Sequence, residues 1–341
     1  SGLFVMPAFA ADIMGPGIWL AFLLAATVVL PGALSKSELA SAMPSSGGSY
    51  VYLERTYGPL LGTISGLGLW ASFLLKASFA LIGSSAYMYA LTTYFEIEIN
   101  VQLVSIFALV LITAINILGL KKVKAIQAPI LSLTLLLLFI VCIMALFEPS
   151  TDFSRPISNA QNTGAFDQSL TTVAETAAFV FVAYAGVTKV AAIGGEVKEP
   201  GRNLPAGIMI SLLIATLLYC LVTYTMMAAM PDMWFVENGE PIEDPAYRFV
   251  DLVAGSTIGL LAAALAVLTM ISMALAGILA ASRFLFAMAR DNLLPQALET
   301  VNAKFETPHW PIIFTGLIML LAIIWLPVKD IAKLASGFKI M

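Results

Sequence analysis

Apolar stretches of about 20 residues follow one another along almost the whole chain, each long enough to cross ~30 Å of hydrocarbon as a helix. The gaps between them are short and polar. Only 11% of the residues are charged and 60% are hydrophobic, against roughly a quarter charged in an ordinary soluble domain, so lipid is the solvent this chain is built for. Uniformly apolar runs of this length specify helices, because a lipid-exposed backbone must satisfy its own hydrogen bonds and barrel strands would alternate in polarity. The expected fold class is all-α and polytopic. Cys142 and Cys220 lie inside apolar runs and the single histidine, His309, lies in a polar gap. Neither a disulfide framework nor a Cys/His metal site is expected from that distribution.

In chain order, residues 1–11 are apolar but too short to span, and read as the second half of a helix closed by a tight loop at 12–15. Spans are expected over 16–34, 60–92, 101–120, 125–147, 168–194, 204–230 and 311–326, with a further helix beginning before Met341. Residues 35–59 read as a polar segment, 148–167 and 231–248 as polar and acidic loops, and 295–305 as a surface amphipathic helix. The stretch 251–290 would be about 60 Å long as a helix, so its charged end from Arg283 onward is expected outside the membrane. Gly62 and Gly66 have the small-xxx-small spacing of close helix packing.

Lysine and arginine fix the orientation. Lys36, Arg55, Lys121, Lys122, Lys124, Lys198, Arg202, Arg283, Arg290 and Lys304 fall on one side, which is expected to be cytoplasmic, so loops 121–124 and 195–203 face the cytoplasm. Glu96, Glu98, Glu148, Asp152, Asp167 and the Asp232 to Asp244 cluster fall on the other. The net charge of −4 is therefore an asymmetry between faces and points to no nucleic-acid partner.

One span departs from the rest. Residues 179–205, FVFVAYAGVTKVAAIGGEVKEPGRNLP, interrupt an apolar run at Ala185-Gly186, carry Lys189 within it and close on a charged turn ending at Pro205. A break in a membrane helix frees N–H groups at one half-helix end and C=O groups at the other, so it can hold a carboxylate and an ammonium together. Those are the backbone groups of an amino acid. For Gly186 the competing reading is close packing against a neighbouring helix.

The opening SGLF, the segment ELASAMPSSGGSYVYLERTYGPLLG, the stretch AYAGVTKVAAIGGEVKEPGRNLP and SRFLFAMARDNLLPQAL resemble, in order, the amino acid/polyamine/organocation permeases. The resemblance implies a five-plus-five inverted repeat with discontinuous first and sixth helices, over residues 1–148 and 168–341, joined by an extracellular loop at 149–167. On this map the chain starts within the first break and ends early in the tenth helix, truncated at both ends. The resemblance implies that N–H groups of Ser1 and Gly2 receive the substrate carboxylate, with Leu3 beside them in the binding site. Carbonyls of Val182 and Ala185 would receive its amino group, with Ala77, Ala183, Tyr184 and Gly186 lining the site and Tyr184 acting as a gate or stacking surface.

Charges within the spans are the candidates for coupling. Lys76 lies about 24 Å along its helix by a rise of ~1.5 Å per residue, and an ammonium there calls for a cavity or a carbonyl cage. Lys189 lies nearer one interface, where it can snorkel, or it can stand in for a bound cation as a fixed or titrating charge. Glu175 is read as a partner of Lys76, a proton carrier or a vestibule charge. Certain members of the resembling family carry a lysine in the fifth helix where this chain has Ser132, and a carboxylate where it has Thr188, so their coupling schemes do not carry over residue by residue. Glu54, Arg55, Glu196 and Arg202 are candidates for a salt-bridged cytoplasmic gate, and Asn203 for the cap of the next helix.

Function therefore reads as secondary active transport of an amino acid or related amine across the plasma membrane by alternating access, proton-coupled or by exchange, without a cofactor. The alternative is an amino-acid sensor of the same fold that binds without transporting. An enzyme is not expected: the spans hold no histidine, HExxH, GxSxG or paired aspartates. Two buried lysines favour a neutral or acidic substrate side chain over a dibasic one.

Overall fold

The computed structural model describes residues 2–96, 100–157, 170–230, 236–237 and 240–325, so Ser1 lies outside the described residues. The architecture is helical apart from a hairpin of two short strands, β1 (Val236–Glu237) and β2 (Glu240–Pro241). Among the described residues five helical segments are long and apolar enough to cross a membrane. Large apolar side chains such as Leu60, Leu103, Phe107, Phe147 and Trp325 point outward, the surface expected of a protein solvated by lipid tails.

Helix α1 (Gly2–Met14) passes through one 3₁₀ turn at Gly15–Gly17 into α2 (Ile18–Ala42), where the sequence suggested a loop slightly earlier. Helix α2 runs on through Lys36 and Glu38, which the sequence reading placed in a polar segment. Composition changes there but periodicity does not: Val29, Ala33, Ser37 and Ala40 continue one buried stripe at helical spacing. After α3 (Ser49–Tyr57) come α4 (Pro59–Phe95), α5 (Val101–Ile117), capped by Asn100 accepting from the Leu103 amide at 3.2 Å, and α6 (Leu120–Phe147). Then follow α7 (Leu170–Val180), α8 (Pro200–Ala229), α9 (Pro245–Ala254), α10 (Ser256–Arg290) and α11 (His309–Trp325).

Three boundaries differ from the sequence reading for local reasons. Gly255, at φ +83°, separates α9 from α10 and shortens the long run. Helix α8 starts on Pro200, whose fixed φ suits the first helical position, and its cap is Glu199 in the left-handed region; Asn203 instead bonds the Lys198 carbonyl at 2.6 Å. The segment after Pro295 forms only a 3₁₀ turn at Gln296–Glu299 rather than an amphipathic helix.

Among the described residues, helices α4 and α10 make the most extensive contact, followed by α2 with α8. The first pair is close because small residues face each other: a Cβ on Gly277 would fall 2.6 Å from the Cβ of Ala77. Phe73 of α4 stacks on Phe284 of α10 at 5.5 Å, and Gly66 presses on Met288 and Tyr50. Gly62 meets the backbone of Glu54, so the Gly62/Gly66 pair serves close packing against α3 and α10.

Candidate functional site

The stretch singled out in the sequence is unwound more extensively than its glycine suggested. α7 stops at Val180, and the chain continues as 3₁₀ turns over Phe181–Gly186, Lys189–Ala192 and Gly194–Glu196. The break thus begins before Ala185-Gly186, and no second α-helical half follows it before α8. Gly186, Gly194, Gly195 and the β-branched Val187, Thr188, Val190 and Ile193 are weak helix formers. Tertiary partners take up the backbone instead: the Gly47 amide donates to the Ala192 carbonyl at 3.0 Å and Ser46 bridges Ile193. Gly48, at φ +47°, lies so close to the Ala191 backbone that a Cβ would come within 2.9 Å of it.

The first described turn of α1 sits directly against this stretch. A Cβ on Gly2 would lie 2.5 Å from the Cβ of Ala183, so residue 2 is restricted to glycine by contact. Leu3 beside it is buried, and Val182 and Ala183 are half-buried. Tyr184 is fully buried between α2 and α8: its hydroxyl donates to the Phe22 carbonyl at 3.1 Å and its ring meets Tyr219 edge-on at 5.1 Å. Tyr219 in turn donates to the Ala183 carbonyl at 3.3 Å. Gly186 is exposed, and a Cβ there would meet nothing within 4 Å, which removes helix packing as its reason. Ala185 lies in the same turn. The structure brings Gly2, Leu3 and the 182–186 turn together, while Ala77 lies apart in the α4–α10 contact.

Lys76 and Lys189 meet one ring. Lys76, 5% exposed, donates to Ser72 Oγ at 2.7 Å with its Nζ 5.9 Å from the Phe73 centroid; Lys189 Nζ stands 5.5 Å from the same centroid. A third lysine, Lys36, reaches Thr188 Oγ1 at 3.5 Å. Glu175 does not pair with Lys76: it is exposed on α7, opposite the face buried by Thr176, Ala177 and Val180.

Arg283, read from the sequence as part of the charged end of the long run, is 2% exposed within the protein: its Nε donates to Glu196 Oε1 at 2.9 Å and Nη1 to Ser282 Oγ at 3.2 Å. Glu196, paired in the sequence reading with Arg55 or set beside Arg202, belongs to Arg283; Arg55 and Arg202 are exposed, and Glu54 packs against Gly62. Residues Gly277 to Leu285 are buried on every side, so the charge among them needs a partner inside the bundle. At the same end Tyr50 donates to Asp291 Oδ2 at 2.8 Å, and burial together with that carboxylate pushes the phenol far above its usual range. Burial also raises Tyr52 to about 12.

Residues 1–338 match the family described as amino acid permease. The chain belongs to the amino acid permease family. Members are membrane transporters rather than enzymes, within the amino acid/polyamine/organocation superfamily. This permease is 29% identical to the branched-chain amino acid permease BcaP of Bacillus subtilis over 98% of its own length and 73% of the relative's. It is 30% identical to the methylthioribose transporter of the same organism, over 93% of this chain and 69% of that protein. It is 26% identical to cationic amino acid transporter 3, mitochondrial, of Arabidopsis thaliana, over 96% of this chain and 55% of that one. The permease is a multi-pass membrane protein, and the chain spans between about half and three quarters of the length of these relatives.

Proposed function

We propose that this permease moves an amino acid or related amine across the plasma membrane by alternating access, with residues 1–148 and 168–341 acting as two inverted repeats. The observation that carries the reading is the meeting of Gly2 with Ala183 where α7 gives way to 3₁₀ turns. Backbone groups of Ser1, Gly2 and Leu3 hold the substrate carboxylate, and carbonyls around Val182 and Ala185 hold its amino group. Gly186 leaves room for the approach, since its open side is clear for at least 4 Å.

Tyr184 closes the site by its bond to Phe22 and its contact with Tyr219; a small rotation toward Gly186 opens it. The Glu196–Arg283 pair forms the inner barrier, with loops 121–124 and 195–203 on the cytoplasmic side. Coupling uses protons or exchange: three ammonium groups within reach of the unwound stretch supply positive charge where a bound cation would be repelled. Counterflow in liposomes tests the reading. Preloaded branched-chain, small neutral or acidic amino acids are expected to drive accumulation of labelled substrate without sodium. Binding without counterflow would instead establish a sensor.

A further inference from the structure

Lys76 and Lys189 share the Phe73 ring, at 5.9 and 5.5 Å from its centroid, and Lys36 reaches Thr188, the residue before Lys189, so three lysines on three elements converge with electrically neutral partners. Ser72 and Thr188 supply hydroxyl oxygens and Phe73 supplies its π-face, which satisfies hydrogen bonds without offsetting charge. Among the described residues no carboxylate lies within 4 Å of any of the three, and the carboxylate of Glu196 is already taken by Arg283. Converging ammonium groups in a desolvated site repel one another, and a bound anion offsets that repulsion where neutral partners cannot.

We propose that this cluster is an anion site, taking a small carboxylate or halide-sized anion between the 3₁₀ turn at Lys189–Ala192 and the flank of α4. The Thr188 hydroxyl, accepting from Lys36, keeps its own hydrogen to donate to such a ligand. Lys189 lies four residues beyond Ala185, about 8 Å along a 3₁₀ path, a distance that an acidic side chain and an extended lysine close together. The anion is therefore either the side-chain carboxylate of an acidic substrate held at the break or a free inorganic anion. The first source deepens the transport reading and rests on it; the second does not.

The test follows the melting midpoint of the purified protein at constant ionic strength, with chloride replacing gluconate, and then with L-glutamate against L-glutamine. A saturable rise with chloride identifies a free anion, and a rise with glutamate but not glutamine identifies the substrate side chain. Lys76→Met and Lys189→Met are each expected to weaken that binding by at least about tenfold, while Lys76→Arg stays within about threefold of the native protein. Lys189→Met, in a half-exposed turn, carries the test where Lys76→Met does not fold. A midpoint that ignores both anions, or Met variants that bind them as tightly as the native protein, overturns the proposal. Neutral amino acid counterflow persisting in that case would overturn the anion site alone; saturable chloride binding without any counterflow would overturn transport and leave the site standing.

Discussion

Helices α4 and α10 hold each other along uninterrupted α-helical lengths, whereas the stretch from Phe181 to Glu196, packed against α2, α8 and α10, contains no α-helical turn. The two regions share an apolar composition and differ in how their backbone is satisfied. In the pair, every carbonyl away from the ends bonds within its own helix and the side chains only have to fit, so small residues such as Ala77 and Gly277 bring the axes close. In the unwound stretch short 3₁₀ bonds, such as Val187 to Tyr184 and Ala191 to Thr188, satisfy part of the backbone and distant parts of the chain take up more of it: Gly47 to Ala192, Ser46 to Ile193, Tyr219 to Ala183. A frame built the first way resists deformation. A segment held the second way can exchange its partners for a ligand one at a time, which suits a transport site.

The sharpest way to break this comparison is to overfill the rigid pair. Gly277→Leu drives a side chain into Ala77, 2.6 Å from where its Cβ would lie, and is expected to cost about 3 kcal/mol or more, read as loss of monodisperse protein in detergent. The joint between the regions comes next. Glu196→Gln leaves the Arg283 guanidinium buried without its carboxylate; because Glu196 is about a third exposed, the expected loss is about 2 kcal/mol rather than the larger cost of a fully buried pair. Replacing both, as Glu196→Leu with Arg283→Met, should recover most of that midpoint shift. If the single and double variants melt alike, the pair is not the joint.

Where α1 meets the unwound stretch, the two candidate glycines should separate. Gly2→Ala meets the Ala183 backbone and is expected to lose about 1–2 kcal/mol, while Gly186→Ala meets nothing and should melt within about 0.5 kcal/mol of the native protein. A further effect, at the α3 end, concerns pH. Tyr50 has a folded pKa raised above its ordinary value near 10, so the stability it contributes is complete below about pH 10 and is lost as pH climbs above that. Tyr50→Phe should flatten the alkaline limb of a midpoint-against-pH curve and cost about 1 kcal/mol at neutral pH, as the Asp291 carboxylate loses its donor.

Composition and run length were enough to determine a multi-pass helical protein, because lipid leaves the backbone few ways to satisfy itself. Motif order along the chain pointed to the permease family, and glycine with lysine inside one span marked the stretch that the fold unwinds. The extent of that unwinding was not legible, since Gly47, Ser46 and Tyr219, the residues that replace its helical bonds, are distant in sequence. Nor was the role of Arg283. Charge counting put it with the surface residues around it, and only the packing of α10 against α4 and the 3₁₀ turns buries it beside Glu196. Lys36 looked like part of a polar gap until the buried stripe of α2 carried it to Thr188. Sequence sets which segments are fit to enter a membrane, because that depends on local solvation; which charges meet depends on contacts between segments, and those exist only in the folded chain.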